Sequence, residues 1–308
     1  MEKCVLAVDV GGTSLKIALV STNLEYVRGS FRRVLVNSNG TRDEILSAIV
    51  KGLTSVFKKA VEMRMEVTAI GMAFPGPFDY KRGISLMKHK FRSIYGVNLK
   101  QLIVKELNLT DYFPVIFRPD SWAFLVGETC KGAARGYSRV IGITIGSGLG
   151  SAFMIENKVV TRGPGVPPHG WLWNLPYKNG ILEDWISRRG IIKMYREATG
   201  SELDVKEIAD RAYRGEKYAC TVFERIGRIL GGVLRSIARD FRAECIVLGG
   251  QISRAFNLFE RPLREELRNI GTLKKVAKAR YIDLAPIYGI TKMTLDYMRE
   301  ANLYPEEE

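Results

Sequence analysis

The sequence predicts an α/β protein made of two domains of one kind. A glycine-rich turn between two apolar strands occurs twice, in equivalent places in the two halves of the chain. After each turn the pattern runs through buried strands and amphipathic helices, the order of an α/β fold. The 308 residues are enough for two domains, each with its own core.

The first turn lies in residues 4–20, CVLAVDVGGTSLKIALV, and the second in residues 139–155, RVIGITIGSGLGSAFMI. Placing Asp9 on Thr144 puts Gly11 on Gly146 and Leu19 on Met154. This shift is far longer than a solenoid period of roughly 20–50 residues, so it marks a duplicated domain opening. Glycines in such a turn let the backbone take positive φ and approach a ligand closely. Successive N–H groups can then cradle a phosphate, although a hairpin needs glycine for its own sake too.

Thr41-Arg42-Asp43-Glu44 is a capping box. It predicts a helix with Ile45, Leu46, Ile49, Val50, Leu53, Val56, Phe57 and Val61 on one face. Val67–Ala73 and Phe113–Phe117 read as strands, and Asp120–Cys130 as a helix. Val222, Phe223, Ile226, Ile229, Leu230, Val233, Leu234 and Ile237 stripe a further helix. Cys245–Leu248 is a short strand stopped by Gly249-Gly250. No low-complexity linker separates the halves. The expected division is residues 1–118, joined by a last helix at about 287–308, and residues 119–286.

The composition excludes several classes. No apolar run reaches the roughly 18 residues of a membrane span, and Asp9 cuts the first apolar run too short for a signal peptide. Cys4, Cys130, Cys220 and Cys245 are scattered, with no CxxC pair, so neither a disulfide framework nor a cysteine-based zinc site is expected. A cytoplasmic location fits. The net charge of +14 raises nucleic acid as a partner. The basic residues are spread along the chain among acids, however, without zinc-finger spacing or an RNP-type aromatic motif, so no nucleic-acid partner is expected.

These pieces, in this order, resemble the ROK family of sugar kinases within the actin/hexokinase-like superfamily. Asp9-Val10-Gly11-Gly12-Thr13 resembles its first phosphate loop, and Ile145-Gly146-Ser147-Gly148-Leu149-Gly150 its second. Ala73-Phe74-Pro75-Gly76-Pro77 is similar to the PGP turn beside the sugar. Pro119-Asp120, with Ala123 and Gly127-Glu128, resembles the helix bearing the catalytic aspartate. Ile246-Val247-Leu248-Gly249-Gly250 resembles the segment near the nucleotide.

The resemblance implies two ribonuclease-H-like domains with a cleft between them, ATP and Mg²⁺ as cofactors, a sugar substrate and a homodimer. It implies Asp120 as the general base, a role compatible with capping its helix. Gly11, Gly12, Thr13 and Lys16 from one domain and Gly146, Ser147 and Gly148 from the other would bind phosphates, Gly249 and Gly250 would adjoin the adenosine, and Asp9 would hold Mg²⁺ through water. Pro75, Gly76, Lys90, Asp120, His169 and Glu183 would line the sugar site. Repressors of the family carry a helix-turn-helix before the first loop. Here that loop begins at Asp9, so the kinase branch is expected.

The chain also departs from the family pattern. In Gly165-Val166-Pro167-Pro168-His169-Gly170, Val166 stands where a sugar-binding glutamate is expected, and Pro119 replaces an asparagine. The loop before Ile181-Leu182-Glu183 has no cysteine, and one histidine cannot make a four-ligand zinc site, so no zinc is expected. These departures also leave open a non-catalytic binder of sugar or nucleotide. Lys88-His89-Lys90-Phe91-Arg92 follows the PGP turn. It is either a solvated surface or a selector of an acidic or phosphorylated sugar.

Overall fold

The computed structural model describes residues 1–303, in two compact units. The first holds Met1–Cys130 and the chain from Asp283 onward; the second is Lys131–Ile282.

The first unit runs β1 (Glu2–Val10), β2 (Ser14–Ser21), β3 (Arg32–Leu35), α1 (Arg42–Glu62), β4 (Met65–Phe74), the short pair β5 (Phe78–Asp79) and β6 (Ile84–Ser85), α2 (Leu99–Glu106), β7 (Val115–Pro119) and α3 (Asp120–Cys130). The second runs β8 (Arg139–Ile145), β9 (Leu149–Ile155), β10 (Lys158–Val160), the pair β11 (Pro176–Tyr177) and β12 (Gly180–Ile181), α4 (Arg188–Thr199), α5 (Val205–Tyr213), α6 (Lys217–Phe241), β13 (Cys245–Gly249), α7 (Glu260–Leu267) and β14 (Lys275–Lys278). The last helix, α8 (Ala285–Glu300), belongs to the first unit. Residues 304–308 of the segment expected at about 287–308 lie outside the described residues.

The two sheets share one plan. The first has the order β3-β2-β1-β4-β7 and the second β10-β9-β8-β13-β14. In each, three strands joined by hairpins run antiparallel, and two further strands lie parallel to the first of them. The central strands are buried on both faces and accordingly read as continuous apolar runs, Val5–Val8 in β1 and Ile246–Leu248 in β13. Each unit closes around its own apolar core. No helix among the described residues is long and apolar enough to cross a membrane.

Local chemistry explains the helix positions. At the start of α1 the capping box forms: Glu44 N–H donates to Thr41 Oγ1 at 3.3 Å, and Thr41 N–H donates to Glu44 Oε2 at 2.7 Å. The predicted stripe buries Ile45, Ile49, Leu53 and Val56, but Val61 is 70% exposed, because the core contact ends at Ala60. On α6 the stripe is buried from Val222 to Leu234, with Val233 and Ile237 partly covered. Strand β7 begins at Val115, two residues after the expected start.

Helix α3 packs on α8 within the first unit, so that unit reaches Cys130, whereas the sequence suggests a division near 118. A Cβ added to Gly127 would lie 1.9 Å from Ala285 O, and one added to Gly289 would lie 1.7 Å from Ala123 O. The helices therefore touch backbone to backbone, and both glycines are needed for close approach. Gly289→Ala has no soft side chain to displace and should cost about 1–3 kcal/mol. Thermal melts of the variant should show a lower midpoint than the parent; an unchanged midpoint would mean that the helices part without penalty.

Candidate active site

In the first unit the candidate residues gather around the ends of β1, β4 and β7. Strand pairing sets Asp9 directly opposite Lys16, and Lys16 Nζ donates to Asp9 Oδ2 at 3.0 Å. Asp283, just before α8, approaches the same ammonium at 3.3 Å. Burial alone would lower the pKa of Lys16, but Asp9 and then Asp283 outweigh it, and the ammonium is held above its ordinary value.

The first glycine turn is fixed from outside the hairpin. Ser38 N–H donates to Gly12 O, and Val36 N–H to Thr13 O. Phe91 N–H donates in turn to Ser38 O at 2.7 Å, and the buried Phe91 ring packs near Phe74. This chain of contacts anchors the cationic stretch beside the turn. Lys88 and Arg92 are exposed, and Lys88 lies over the Tyr95 ring. Lys90 is partly buried and close enough to Asp120 for its charge to act on that carboxylate.

Asp120 opens α3 directly after β7. Its Oδ1 accepts from Ser121 N–H at 2.8 Å, one of the open donors at the helix start. Burial pushes its pKa above the ordinary carboxylate value; Lys90 pulls it down, Asp9 pushes it up, and backbone N–H donors at Ser121 and at Asp120 itself lower it. The net direction is upward.

Pro75 is buried and Gly76 exposed at the turn after β4. Tyr80, which sequence reasoning missed, lies against this turn. Its hydroxyl donates to Phe74 O at 3.1 Å and lies 3.3 Å from where a Cβ on Gly76 would be. Burial, and then the charge of Asp120, push the Tyr80 hydroxyl well above its ordinary value, so it remains a protonated donor. The only sequence signal for it was an aromatic residue four positions beyond Gly76.

In the second unit, parallel pairing of Gly249 with Thr144 brings the Gly249-Gly250 segment beside the second glycine turn. Gly250 has φ +81°, and a Cβ there would lie 2.3 Å from Ile145 O, so the position demands glycine on both counts. The turn glycines Gly11, Gly12, Gly146 and Gly148, in contrast, lie outside the left-handed region. The expectation of positive φ fails there; at Gly148 the requirement is space, because a Cβ would sit 2.6 Å from Glu183 Oε2. Ser147, between Gly146 and Gly148, is exposed.

Glu183 serves that turn. Its Oε2 accepts from Leu149 N–H at 2.9 Å, and its Oε1 accepts from Arg189 at 3.3 Å. Both oxygens of this expected sugar ligand are therefore already engaged. His169 is exposed, in a left-handed conformation with φ 60°, and its ring lies 4.6 Å from that of Trp171.

Mg²⁺ fits this set of side chains. A carboxylate hydrogen-bonded to a lysine can hold a hydrated cation through water, as Mg²⁺ prefers, and Asp9 with its neighbour Asp283 offers that chemistry. Among the described residues no three His, Cys, Asp or Glu side chains come together.

Comparison with known proteins fits this architecture. The sequence model of the ROK family matches residues 5–290. The chain is 26% identical over 301 residues to the glucokinase of Thermotoga maritima, covering 88% of this chain and 91% of that one. The crystal structure of a ROK family glucokinase from Streptomyces griseus, in complex with glucose and AMPPNP, superposes with a TM-score of 0.77 at 23% identity, covering 94% of this chain and 98% of that one. A ROK family transcriptional regulator also superposes with a TM-score of 0.77, at 20% identity, covering 96% of this chain and 79% of that one. At these identities the two superpositions establish the fold, while the family match takes in both glycine turns, the Pro75-Gly76 turn, Asp120 and Gly249-Gly250: the chain belongs to the ROK family.

Proposed function

We propose that this protein is an ATP-dependent sugar kinase in which Asp120 is the general base. The observation that carries this reading is the setting of Asp120: a partly buried carboxylate with a raised pKa, beside the Gly76 turn and within electrostatic reach of Asp9 and Lys90. Helix capping alone needs only the Ser121 contact; it does not call for a carboxylate held near two further charged groups.

In this reading a sugar hydroxyl attacks the terminal phosphorus of ATP, its proton passes to the Asp120 carboxylate, and ADP leaves. Transfer of this kind depends on positioning and on charge neutralisation. Backbone N–H groups of Gly11, Gly12 and Thr13, and of Gly146, Ser147 and Gly148, serve the phosphates, and the Lys16 ammonium adds positive charge at the first turn. Gly249 and Gly250 leave room for the adenosine. Mg²⁺, when bound, neutralises phosphate charge, and Asp9 holds it through water. Pro75, Gly76, Lys90 and His169 contact the sugar. Glu183 acts at one remove by fixing the turn at Gly148 and Leu149. The glucokinases among its relatives support a sugar as acceptor.

A second reading, a binder without turnover, is favoured by Val166 and Pro119, which supply no polar group where sugar contacts are expected. An ADP-release assay with Mg-ATP over neutral, amino and acidic sugars separates the two. Sugar-dependent ADP release supports the kinase; saturable binding without release overturns it. If Lys90 selects an anionic sugar, the best acceptor will be acidic and its KM will rise with salt.

Asp120→Asn should keep the fold and lose about 10²–10⁴ in kcat, because the amide can still cap α3 but cannot accept the proton. A variant that retains most of its kcat would reduce Asp120 to a cap. The same variant should melt above the parent at neutral pH. A carboxylate whose folded pKa is raised loses stability as pH climbs from its unfolded value of about 3.9 through the folded one. Above that window the charged form carries its full cost, which the amide lacks. The gain in melting temperature should shrink on acidification; a pH-independent difference would contradict the raised pKa.

Lys90→Gln removes the charge that pulls the Asp120 pKa down. The acid limb of the kcat–pH profile should then move to higher pH. An unmoved limb would mean that Lys90 does not act on Asp120.

A further inference from the structure

Beside the first glycine turn one ammonium serves two carboxylates. Lys16 Nζ lies 3.0 Å from Asp9 Oδ2 and 3.3 Å from Asp283 Oδ1. The distances are nearly equal, but the settings differ. The Asp9 and Lys16 side chains are 13% exposed and that of Asp283 39%. A move of the ammonium from Asp9 toward Asp283 is therefore short and leads toward water.

Different parts of the fold hold the two carboxylates. Asp9 is fixed by its place on β1, directly opposite Lys16 on β2. Asp283 stands two residues before α8, which packs against β1, β2 and β4. That packing is close: a Cβ added to Gly71 on β4 would lie 2.4 Å from Thr294 Oγ1 on α8. Elements packed in this way do not slide past one another readily. The adaptable member of the cluster is the lysine, a point charge with three donors on a flexible four-carbon stem.

From this cluster we infer that Asp283 is a positioning residue, which receives the Lys16 ammonium when a hydrated Mg²⁺ comes to Asp9; the inference rests on the reading above that Asp9 holds Mg²⁺ through water. The ammonium at 3.0 Å occupies an Asp9 oxygen that the water of a hydrated cation also seeks. Two positive charges at that range repel. Expelling Lys16 from an ion pair in an enclosed place would be costly if no second acid stood by. Asp283 offsets that cost, because it already lies within ion-pair range. The two acids and one ammonium also leave one negative charge over, which favours the entry of a cation. No proton moves: Lys16 keeps its charge and its place beside the turn that serves the phosphates.

The test is calorimetric titration of the full chain with AMPPNP, first in EDTA and then at saturating Mg²⁺. The ratio of the two affinities is the gain due to the metal, and no turnover enters it. Asp283→Asn should cut that gain about tenfold, as expected for coupled members of one charge network, because Lys16 then stays on Asp9. Adding Lys16→Met to Asp283→Asn should bring the gain back to the parent's or above it, since nothing then contests Asp9. Asp283→Ser is run in parallel, with melting midpoints for every variant, so that a folding defect in one does not decide the outcome. An unchanged gain in the Asp283 variants overturns the hand-over and makes the cluster a static ion pair; the kinase reading survives that result. A double variant that stays as low as Asp283→Asn also overturns it, because Asp283 would then act on the metal without Lys16. A parent whose affinity gains nothing from Mg²⁺ overturns the hand-over together with the metal role of Asp9.

Discussion

The contact on which the first unit depends is the backbone-to-backbone meeting of α3 and α8. Gly127 lies against the Ala285 carbonyl and Gly289 against the Ala123 carbonyl. Neither contact has a side chain between the helices to yield, and a packed interior does not deform to make room. One end of α3 carries Asp120. The segment leading into α8 carries Asp283, which reaches Lys16 beside Asp9. A single close approach thus sets the candidate base and brings the end of the chain back to the first glycine turn.

Around that frame the charges are arranged in opposing pairs. Asp9 is paired with Lys16 in a largely enclosed setting, where a charge without a partner would be costly. Asp120 receives no such direct partner; it has Lys90 at a distance and Asp9 opposing it. The two carboxylates therefore sit in different surroundings, one in a direct ion pair and one without, as the proposed split between a charge-holding acid and a proton acceptor requires.

Much of this was legible in the sequence. The capping box at Thr41, the stripe on α6 and the exact span of α3 follow from local periodicity and capping, which need no knowledge of the fold. The duplicated turn foretold two sheets of one plan, because apolar runs broken by glycine at matching places force matching hairpins. What stayed hidden depends on distance through space. Tyr80 reaches the Phe74 carbonyl across its own turn, Glu183 reaches Leu149 across a loop, and Asp283 returns from the far end of the chain. The role of Gly148 was misread for the same reason. Its need for glycine comes from the Glu183 carboxylate packed against it and not from its own φ, and no local pattern announces such a neighbour.

If Asp120 is the base proposed above, its setting gives up stability for reactivity. An exposed aspartate at a helix start would favour folding, through the helix dipole and the open N–H groups of the first turn. Here burial reverses part of that benefit by raising the pKa. A stronger cationic partner would recover the stability, yet a direct ion pair would also lower the basicity of the carboxylate and occupy the oxygen that must receive a proton. Lys90 acts at a distance, which lets it pull the Asp120 pKa down without occupying its oxygens. Tyr80, held protonated by its own burial and committed to the Phe74 carbonyl, does not compete for the carboxylate. Asp120 thus keeps the Ser121 N–H contact at the helix start but has no direct cationic partner, the combination that the proposed base role requires.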